Sequence, residues 1–470
     1  CSDISKIITP NINPDGGSLF YIDFSGDEKI LGGTAFAQVQ NKIGKNASTI
    51  VDSNYFKRTF NSVQELVKKG EISSGHDISY GGFITSILEM FLSTPDIGAN
   101  IRLDDSDNIN ESLFFENPGI ILQSTSNLLD FFDKKEIICT KIGEINKSQR
   151  KIKISYKKES IDFDIDFYRD IWYKTSYELD KHQTRNNKAL DRYKNYKKHI
   201  LNYKFPKFFS GEYDINPSKR KLKAAVIREK GSNSEREMAY AMQFVGFEVT
   251  DIHMTDLING RSDLTEFNFI VAVGGFSNSD VLGSAKGWAG SFLYNNKAKK
   301  SLENFFNKKN TLSLGVCNGC QLFVELGLIT PNLKNKPKMV KNDSGKFECI
   351  FTAVDIHKSN SLLLKGLEGS RLGIWAAHGE GKFYLPGEKK LYQIPATYYH
   401  NTYPANPNGS DYNAAMLSSD DGRHLVMMPH LERSTFPWNW AYYPKDRNKD
   451  KITPWIQVFE NAYNWVSDNI

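Results

Sequence analysis

Cysteine is scarce in this sequence: five residues in 470, at positions 1, 139, 317, 320 and 349. So few, so unevenly spaced, exclude a disulfide framework and favour a reducing compartment. No second C-x-x-C or paired-His motif accompanies them, so a structural zinc site is a weak reading. Long apolar runs are missing too. No uninterrupted stretch approaches the length needed to cross a bilayer, and residues 1–6 lack the basic and apolar regions of a signal peptide. The expectation is a cytoplasmic protein with no membrane partner. Charge of one sign is also lacking: 60 Lys and Arg against 55 Asp and Glu leave a net charge of only +5. With the lysines scattered, no stripe for nucleic acid forms, although a phosphorylated ligand would suit the chain. The basic tract 188–198 reads as a solvated connector rather than an RNA-binding helix. An initiating Met is absent as well, and the chain is expected to be a fragment or a processed product.

What is present is organised around residues 312–326. An apolar run ends in Gly315-Val316-Cys317-Asn318-Gly319 and gives way to a helical pattern. That reads as strand, sharp turn and helix with Cys317 at the apex, a nucleophile elbow built on sulfur. The flanking glycines leave room and tolerate unusual dihedrals, and the helix N-terminus favours thiolate over thiol. A later strand ends in Pro429-His430-Leu431-Glu432. On extended chain the i, i+2 spacing puts His430 and Glu432 on one face, so that the carboxylate can orient an imidazole acting as base for Cys317. For acyl transfer the backbone N–H groups of Asn318 and of the turn at Gly274, Gly275 and Phe276 are the candidate oxyanion donors. Two rivals stay open. Cys317 and Cys320 form C-x-x-C between a strand and a helix, the placement of a thioredoxin-like thiol–disulfide pair, and a non-catalytic scaffold fragment would use neither thiol.

With 40% hydrophobic residues the chain can bury two or three cores. Its first 158 residues alternate strand and helix signals: strands at 19–23, 119–123 and 135–142, a helix with a capping box from Ser62 to Glu65, and a helix whose face is Ile84, Ile87, Leu88 and Phe91. Between them, Asp77 and Ser79 precede a glycine pair that opens a helix. That arrangement suits a phosphate and its magnesium, or merely a capped turn. From 159 to 220 the pattern decays into a connector, with Pro206 and Pro217 bracketing a linker. Residues 221–470 read strand, helix, strand. Buried strands at 224–227, 247–249 and 269–273 precede the one that leads into Cys317, and 424–428 forms another. A helix capped by Ser234 to Glu237, with Met238, Ala241, Met242 and Val245 inward, stops at Gly246. This is the doubly wound α/β pattern.

Several long segments, in order, resemble one family. They are Gly274-Gly275-Phe276-Ser277 with Asp280 to Gly283 and Gly287-Trp288-Ala289; Leu314 to Gln321; His378-Gly379-Glu380-Gly381; residues 403–410; and Met427 to Arg433. They look like the class I glutamine amidotransferase domain of the large, single-chain phosphoribosylformylglycinamidine synthase family. Residues 31–39 and 75–79 resemble the C-terminal lobe of that family's second synthetase half, a lobe of the aminoimidazole ribonucleotide synthetase type. The resemblance implies a flavodoxin-like sheet at 221–470 and a chain that is roughly the C-terminal third of such an enzyme. It implies hydrolysis of L-glutamine through Cys317, His430 and Glu432, with Gly275 and Asn318 as oxyanion donors. The ammonia would convert formylglycinamide ribonucleotide to its amidine with consumption of ATP, at a site carried by the rest of the synthetase chain. In the family the position matching Asp77 binds Mg2+, and that matching Ser79 contacts an auxiliary ATP or ADP. Family members usually carry an acidic residue where this chain has Tyr80 and an acidic pair where it has Glu116-Asn117.

Overall fold

The computed structural model describes residues 3, 6–103, 108–213 and 220–470; Cys1 and Pro217 lie outside them. The chain divides into two compact units, residues 1–176 and 177–470.

Among the described residues of the first unit, seven strands form one sheet: β1 Ser18–Asp23, β2 Ser74–Asp77, β3 Gly98–Arg102, β4 Gly119–Ser124, β5 Cys139–Asn146, β6 Lys151–Tyr156 and β7 Glu159–Asp164. Their order is β2-β4-β1-β5-β3-β6-β7, antiparallel except between β3 and β6. Alternate residues of β1 enter two different cores. Leu19 and Tyr21 pack with Phe83, Ile84 and Ile87 of helix Gly82–Leu92, while Phe20 and Ile22 pack with Val63 and Leu66 of helix Ser53–Lys69. A central strand covered on both faces must be apolar at every position, so β1 shows no hydrophobic alternation.

Three local expectations need correction. Ser62 does not begin a helix. It lies inside Ser53–Lys69 with its hydroxyl donating to Arg58 O at 2.8 Å, and the N-cap is Asp52, which accepts from Asn54 N at 2.8 Å. Residues 135–137 form a turn closed by Ile137 N donating to Phe132 O, so β5 begins only at Cys139. Residues 159–164, expected within a connector, pair along the whole of β6.

The second unit is built on β8 Leu222–Arg228, β9 Phe247–His253, β10 Phe269–Ala272, β11 Leu312–Val316, β12 Lys338–Val340, β13 Glu348–Ile356, β14 Arg371–His378, β15 Lys382–Tyr384, β16 Ala396–Tyr398, β17 Met416–Ser418 and β18 His424–Met427. Its main sheet runs β17-β18-β11-β10-β8-β9, parallel throughout except for the edge strand β17. Every residue of β10, β11 and β18 is buried, as expected of parallel strands covered by helices on both faces. Helix Glu235–Val245 buries Met238, Ala241, Met242 and Val245 and ends on Gly246 at φ 118°. Ser234 stands at its N-cap position with φ 68°, but its hydroxyl makes no capping bond. Of the smaller sheets, β14-β13-β16 and the β12-β15 pair, the first brings the end of β14, Ala377 and His378, beside Cys317.

Residues 177–213 belong to this second unit rather than to solvent. Helix Lys188–Asn195 presents Arg192, which donates to Asp180 at 3.1 Å and to the buried Glu348 at 2.9 Å. Lys346 donates to Asp180 at 2.5 Å, Tyr403 donates to Glu348 at 2.9 Å, and Lys204 exchanges backbone hydrogen bonds with Arg371. The basic residues that look solvated in sequence neutralise carboxylates that would otherwise be stranded out of water. Replacing Arg192 by Ala should lower the stability of this unit by about 3 kcal/mol, because Glu348 then stays buried with only a hydroxyl for company. Equilibrium denaturation checks this, and a change indistinguishable from that of an exposed Lys to Ala control would refute it.

Candidate active site

The parallel strands β10, β11 and β18 deliver three loops to one place. Cys317 leaves β11 at φ 53° and ψ −106° and is the N-cap of helix Asn318–Glu325. Such a backbone costs on the order of 1–3 kcal/mol for a non-glycine residue. The turn is held by Cys317 N donating to Met427 O at 2.8 Å and by Gln321 N donating to Cys317 O at 3.0 Å. The strain therefore sits on the cysteine itself. Gly315 and Gly319 were expected to absorb unusual dihedrals, but neither has a left-handed φ. They are needed because backbones touch: a Cβ on Gly319 would fall 2.0 Å from Ala272 O, and one on Gly315 would fall 2.7 Å from Gly319 O.

His430 and Glu432 come together, though not on the extended chain that their spacing assumes: β18 ends at Met427 and Glu432 stands in a turn. Imidazole Nδ1 lies 2.7 Å from Glu432 Oε1, and both side chains are almost wholly buried. Donation from Nδ1 fixes the tautomer and turns the other ring nitrogen towards Cys317. Burial acts against a charged imidazole, yet the Glu432 carboxylate, the neighbouring sulfur of Cys317 and hydrogen bonds to both outweigh it, so the His430 pKa is raised. For Glu432 burial pulls upward and the pairing with His430 wins, leaving the carboxyl below its usual range. Gly274 makes room for the ring, since a Cβ there would fall 2.7 Å from His430 Cε1. Cys317 Sγ lies 3.6 Å from Ala377 O on β14.

These groups open onto a cleft of about 180 Å³ lined among others by Gly275, Gln321, Phe347 and Arg433, with room for a ligand of amino-acid size. Gly275 has φ 116°, and its loop is fixed by Asn233 N donating to Gly274 O and Phe276 N donating to Gly231 O, each 2.8 Å. The N–H of Asn318 belongs to a first helical turn, whose donors have no partner within the helix. His378 stands in a motif of the sequence that by itself gives the residue no role. It is a fully buried wall of the cleft, with neither ring nitrogen hydrogen-bonded. Burial, and then the nearby His430, push its pKa down to about 3, which keeps the second histidine neutral. Asp280 and Gln321, also without a role legible from sequence, join the same site. Cys320 is completely buried, and burial, then Cys317, push its pKa well up.

Asp77 and Ser79 lie in the other unit, on the turn from β2 into helix Gly82–Leu92. The Asp77 side chain is 77% exposed, and Ser79 is exposed as well. Glu116 Oε1 accepts from Gly81 N at 2.8 Å and from Ala35 N at 2.9 Å, while Asn117 Nδ2 donates to Glu28 O at 2.9 Å, so these two brace the loops around the turn. Tyr80 donates to Gln38. Among the described residues no group of three or more His, Cys, Asp or Glu side chains could hold a metal ion. An open carboxylate such as Asp77 still meets what Mg2+ asks of a protein when phosphates and water supply its other ligands.

The model of the CobB/CobQ-like glutamine amidotransferase domain matches residues 221–466, and that of the C-terminal domain of AIR synthase related proteins matches residues 24–154. The probable chloroplastic/mitochondrial phosphoribosylformylglycinamidine synthase of Arabidopsis thaliana is 38% identical over 506 residues, covering 99% of this chain and 35% of the relative. The phosphoribosylformylglycinamidine synthase of Homo sapiens is 34% identical over 507 residues, covering 99% and 38%. The chain thus spans little more than a third of the length of these relatives. The PurLQS structure from Thermotoga maritima aligns with 52% of this chain and 99% of that one, at 24% identity and a TM-score of 0.40.

Because the folded His430 pKa is raised, protonation of the ring contributes stability that is complete below about pH 6.5, the unfolded value, and is lost as pH rises through the folded value, whereas the lowered Glu432 carboxyl contributes stability that is lost only on acidification. Replacing Glu432 by Gln should therefore move the His430 ring titration, followed by NMR, to lower pH. It should also remove that alkaline loss of stability. An unmoved titration would show that Glu432 does not govern the charge on the ring.

Proposed function

Since this chain belongs to the phosphoribosylformylglycinamidine synthase family and carries its CobB/CobQ-like glutamine amidotransferase domain, we propose that it releases ammonia from L-glutamine through a glutamyl thioester on Cys317. The thiolate attacks the side-chain amide carbon, and the developing oxyanion takes the backbone N–H groups of Gly275 and Asn318. His430 gives its proton to the departing nitrogen. The thioester then accepts a water whose proton returns to His430, and glutamate leaves. Glu432 keeps the imidazole oriented and stabilises its charge in both halves. The observation that carries this reading is a strained cysteine at a helix N-terminus facing a buried imidazole–carboxylate pair. Thiol–disulfide exchange is less well supported, because Cys320 is wholly buried with a raised pKa and so is a poor exchanging thiolate.

The ammonia would serve the ATP-dependent conversion of formylglycinamide ribonucleotide to its amidine, on synthetase sequence beyond this chain. Free ammonia at neutral pH is mostly protonated and non-nucleophilic, so a water-poor passage between the two reactions keeps it reactive. Asp77 would supply a carboxylate to Mg2+ and Ser79 a hydroxyl near an auxiliary nucleotide, whose phosphates would complete the magnesium shell. We read the location as cytoplasmic from the free thiols at Cys139, Cys317, Cys320 and Cys349. No helix among the described residues is long and apolar enough to cross a membrane.

In a complete synthetase that includes this chain, replacing Cys317 by Ala should abolish glutamine-dependent product while leaving ammonium-dependent product and the circular dichroism unchanged. A diazo ketone analogue of glutamine should label Cys317 alone, by mass spectrometry. Parental glutamine hydrolysis by the Cys317 variant would sink the assignment. The 470-residue chain by itself should form no amidine from glutamine or from ammonium salts, and product there would place the ATP site within it.

A further inference from the structure

None of these steps uses the side chain of Asn318, yet it is completely buried. A buried amide is costly unless both its ends are hydrogen-bonded, and this one is. Its Oδ1 accepts from Ser277 N at 3.0 Å. Its Nδ2 donates to Gln321 Oε1 at 2.7 Å and approaches the two Asp280 carboxylate oxygens at 3.2 and 3.3 Å. Gln321 in turn donates to Glu380 O at 2.8 Å. The amide therefore ties the start and the end of the loop 277–280 to the first turn of the helix behind Cys317.

That loop has reason to move if released. Asn278, Ser279 and Asp280 stand in succession at φ 51°, 57° and 44°, and none is a glycine. Each left-handed residue of this kind is disfavoured and persists only where its surroundings hold it. The loop begins two residues after Gly275 and is anchored on its other side by Asn278 N donating to Lys230 O at 2.7 Å, next to the bond from Phe276 N to Gly231 O, so a shift of the loop would pull on the backbone that aims the Gly275 N–H. We infer that the Asn318 side chain is a positioning residue for glutamine hydrolysis, clamping the strained 277–280 loop to the helix so that the N–H groups of Gly275 and Asn318 stay aimed at one point beside Cys317. This rests on the amidotransferase reading and adds a group to it. The chemistry needs an amide: a carboxylate could accept from Ser277 N but would face Asp280 with no proton to donate, and an alkyl group could do neither.

The test compares Asn318→Ala and Asn318→Asp with the parent in a complete synthetase that includes this chain, measuring kcat and KM for glutamine hydrolysis across pH. Asn318→Ala should lose about 100-fold in kcat, the scale of a lost oxyanion donor, with KM little changed. Asn318→Asp keeps the shape and should be as impaired at neutral pH. Relative to the parent it should recover as pH falls, once a proton shared with Asp280 restores the donation. The ionisable groups facing that position are Asp280, with Glu380 behind it, and Cys317 and His430 on the reacting side, so activity is taken as a ratio to the parent at each pH. A purely structural role would lower the melting temperature and leave that ratio flat. Parental kcat in Asn318→Ala, or a flat ratio in Asn318→Asp, overturns the inference. Failure of the parent to hydrolyse glutamine, or activity in a Cys317→Ala variant, would instead overturn the amidotransferase reading itself.

Discussion

Glu432 is a carboxylate almost without solvent, 2.7 Å from the imidazole whose charge it stabilises, and the surroundings of the site follow from that pairing. Removing two ionisable groups from water is tolerable only if each answers the other and the geometry is held. The strand β18 supplies the chain direction, Trp375 O receives His430 N at 2.7 Å, and Gly274 yields the space that the ring occupies. The consequence is a fixed, buried pair at the edge of the cleft, and the same burial keeps His378 neutral a short way off. A second imidazolium beside His430 would compete for the carboxylate's field. Burial prevents it.

Much of this is legible in the order of the residues alone. Of the parallel strands, β10 and the Ala224–Ile227 stretch of β8 stand out as unbroken apolar runs. The i, i+2 spacing of His430 and Glu432 marks them as a pair, but the extended chain it assumes does not form: β18 ends at Met427, and Glu432 stands in a turn closed by Ser434 N donating to Leu431 O. The elbow is legible for a related reason: Gly315 and Gly319 flank the cysteine at the step from an apolar run to a helical pattern. Why those two positions are glycine is not legible. A sequence shows that a Cβ is absent but not whether φ or a close backbone is responsible, and here Ala272 O occupies the space.

Two of the failures share a cause. A Ser-x-x-Glu pattern at 62–65 is a capping box only if the helix starts there, and Asp52 upstream with a longer amphipathic stripe overrides it. The Lys- and Arg-rich segment after residue 180 looks solvated because composition counts charges without saying what faces them, and Asp180 and Glu348 are far apart in sequence. His378 is visible as part of a motif that is silent about its role, since burial on a wall between β14 and the elbow is a tertiary fact. For the basic segment and for His378 the missing information is the identity of a partner remote along the chain.

The same limit explains why a side-chain amide next to the cysteine carries no signal in the sequence. Asn318 can be read for its backbone, because any residue after an elbow contributes an N–H at a helix N-terminus. Its side chain has meaning only beside the loop 277–280, where three consecutive left-handed residues would be anomalous alone. Strain in one segment and a fully satisfied buried amide in another are two views of one arrangement: the amide's hydrogen bonds offset the loop's conformational cost, and the loop's shape delivers the partners that make burying the amide tolerable. The cysteine's own strained dihedrals are held by the same first helical turn, so the proposed nucleophile and the proposed oxyanion donors share one local structure.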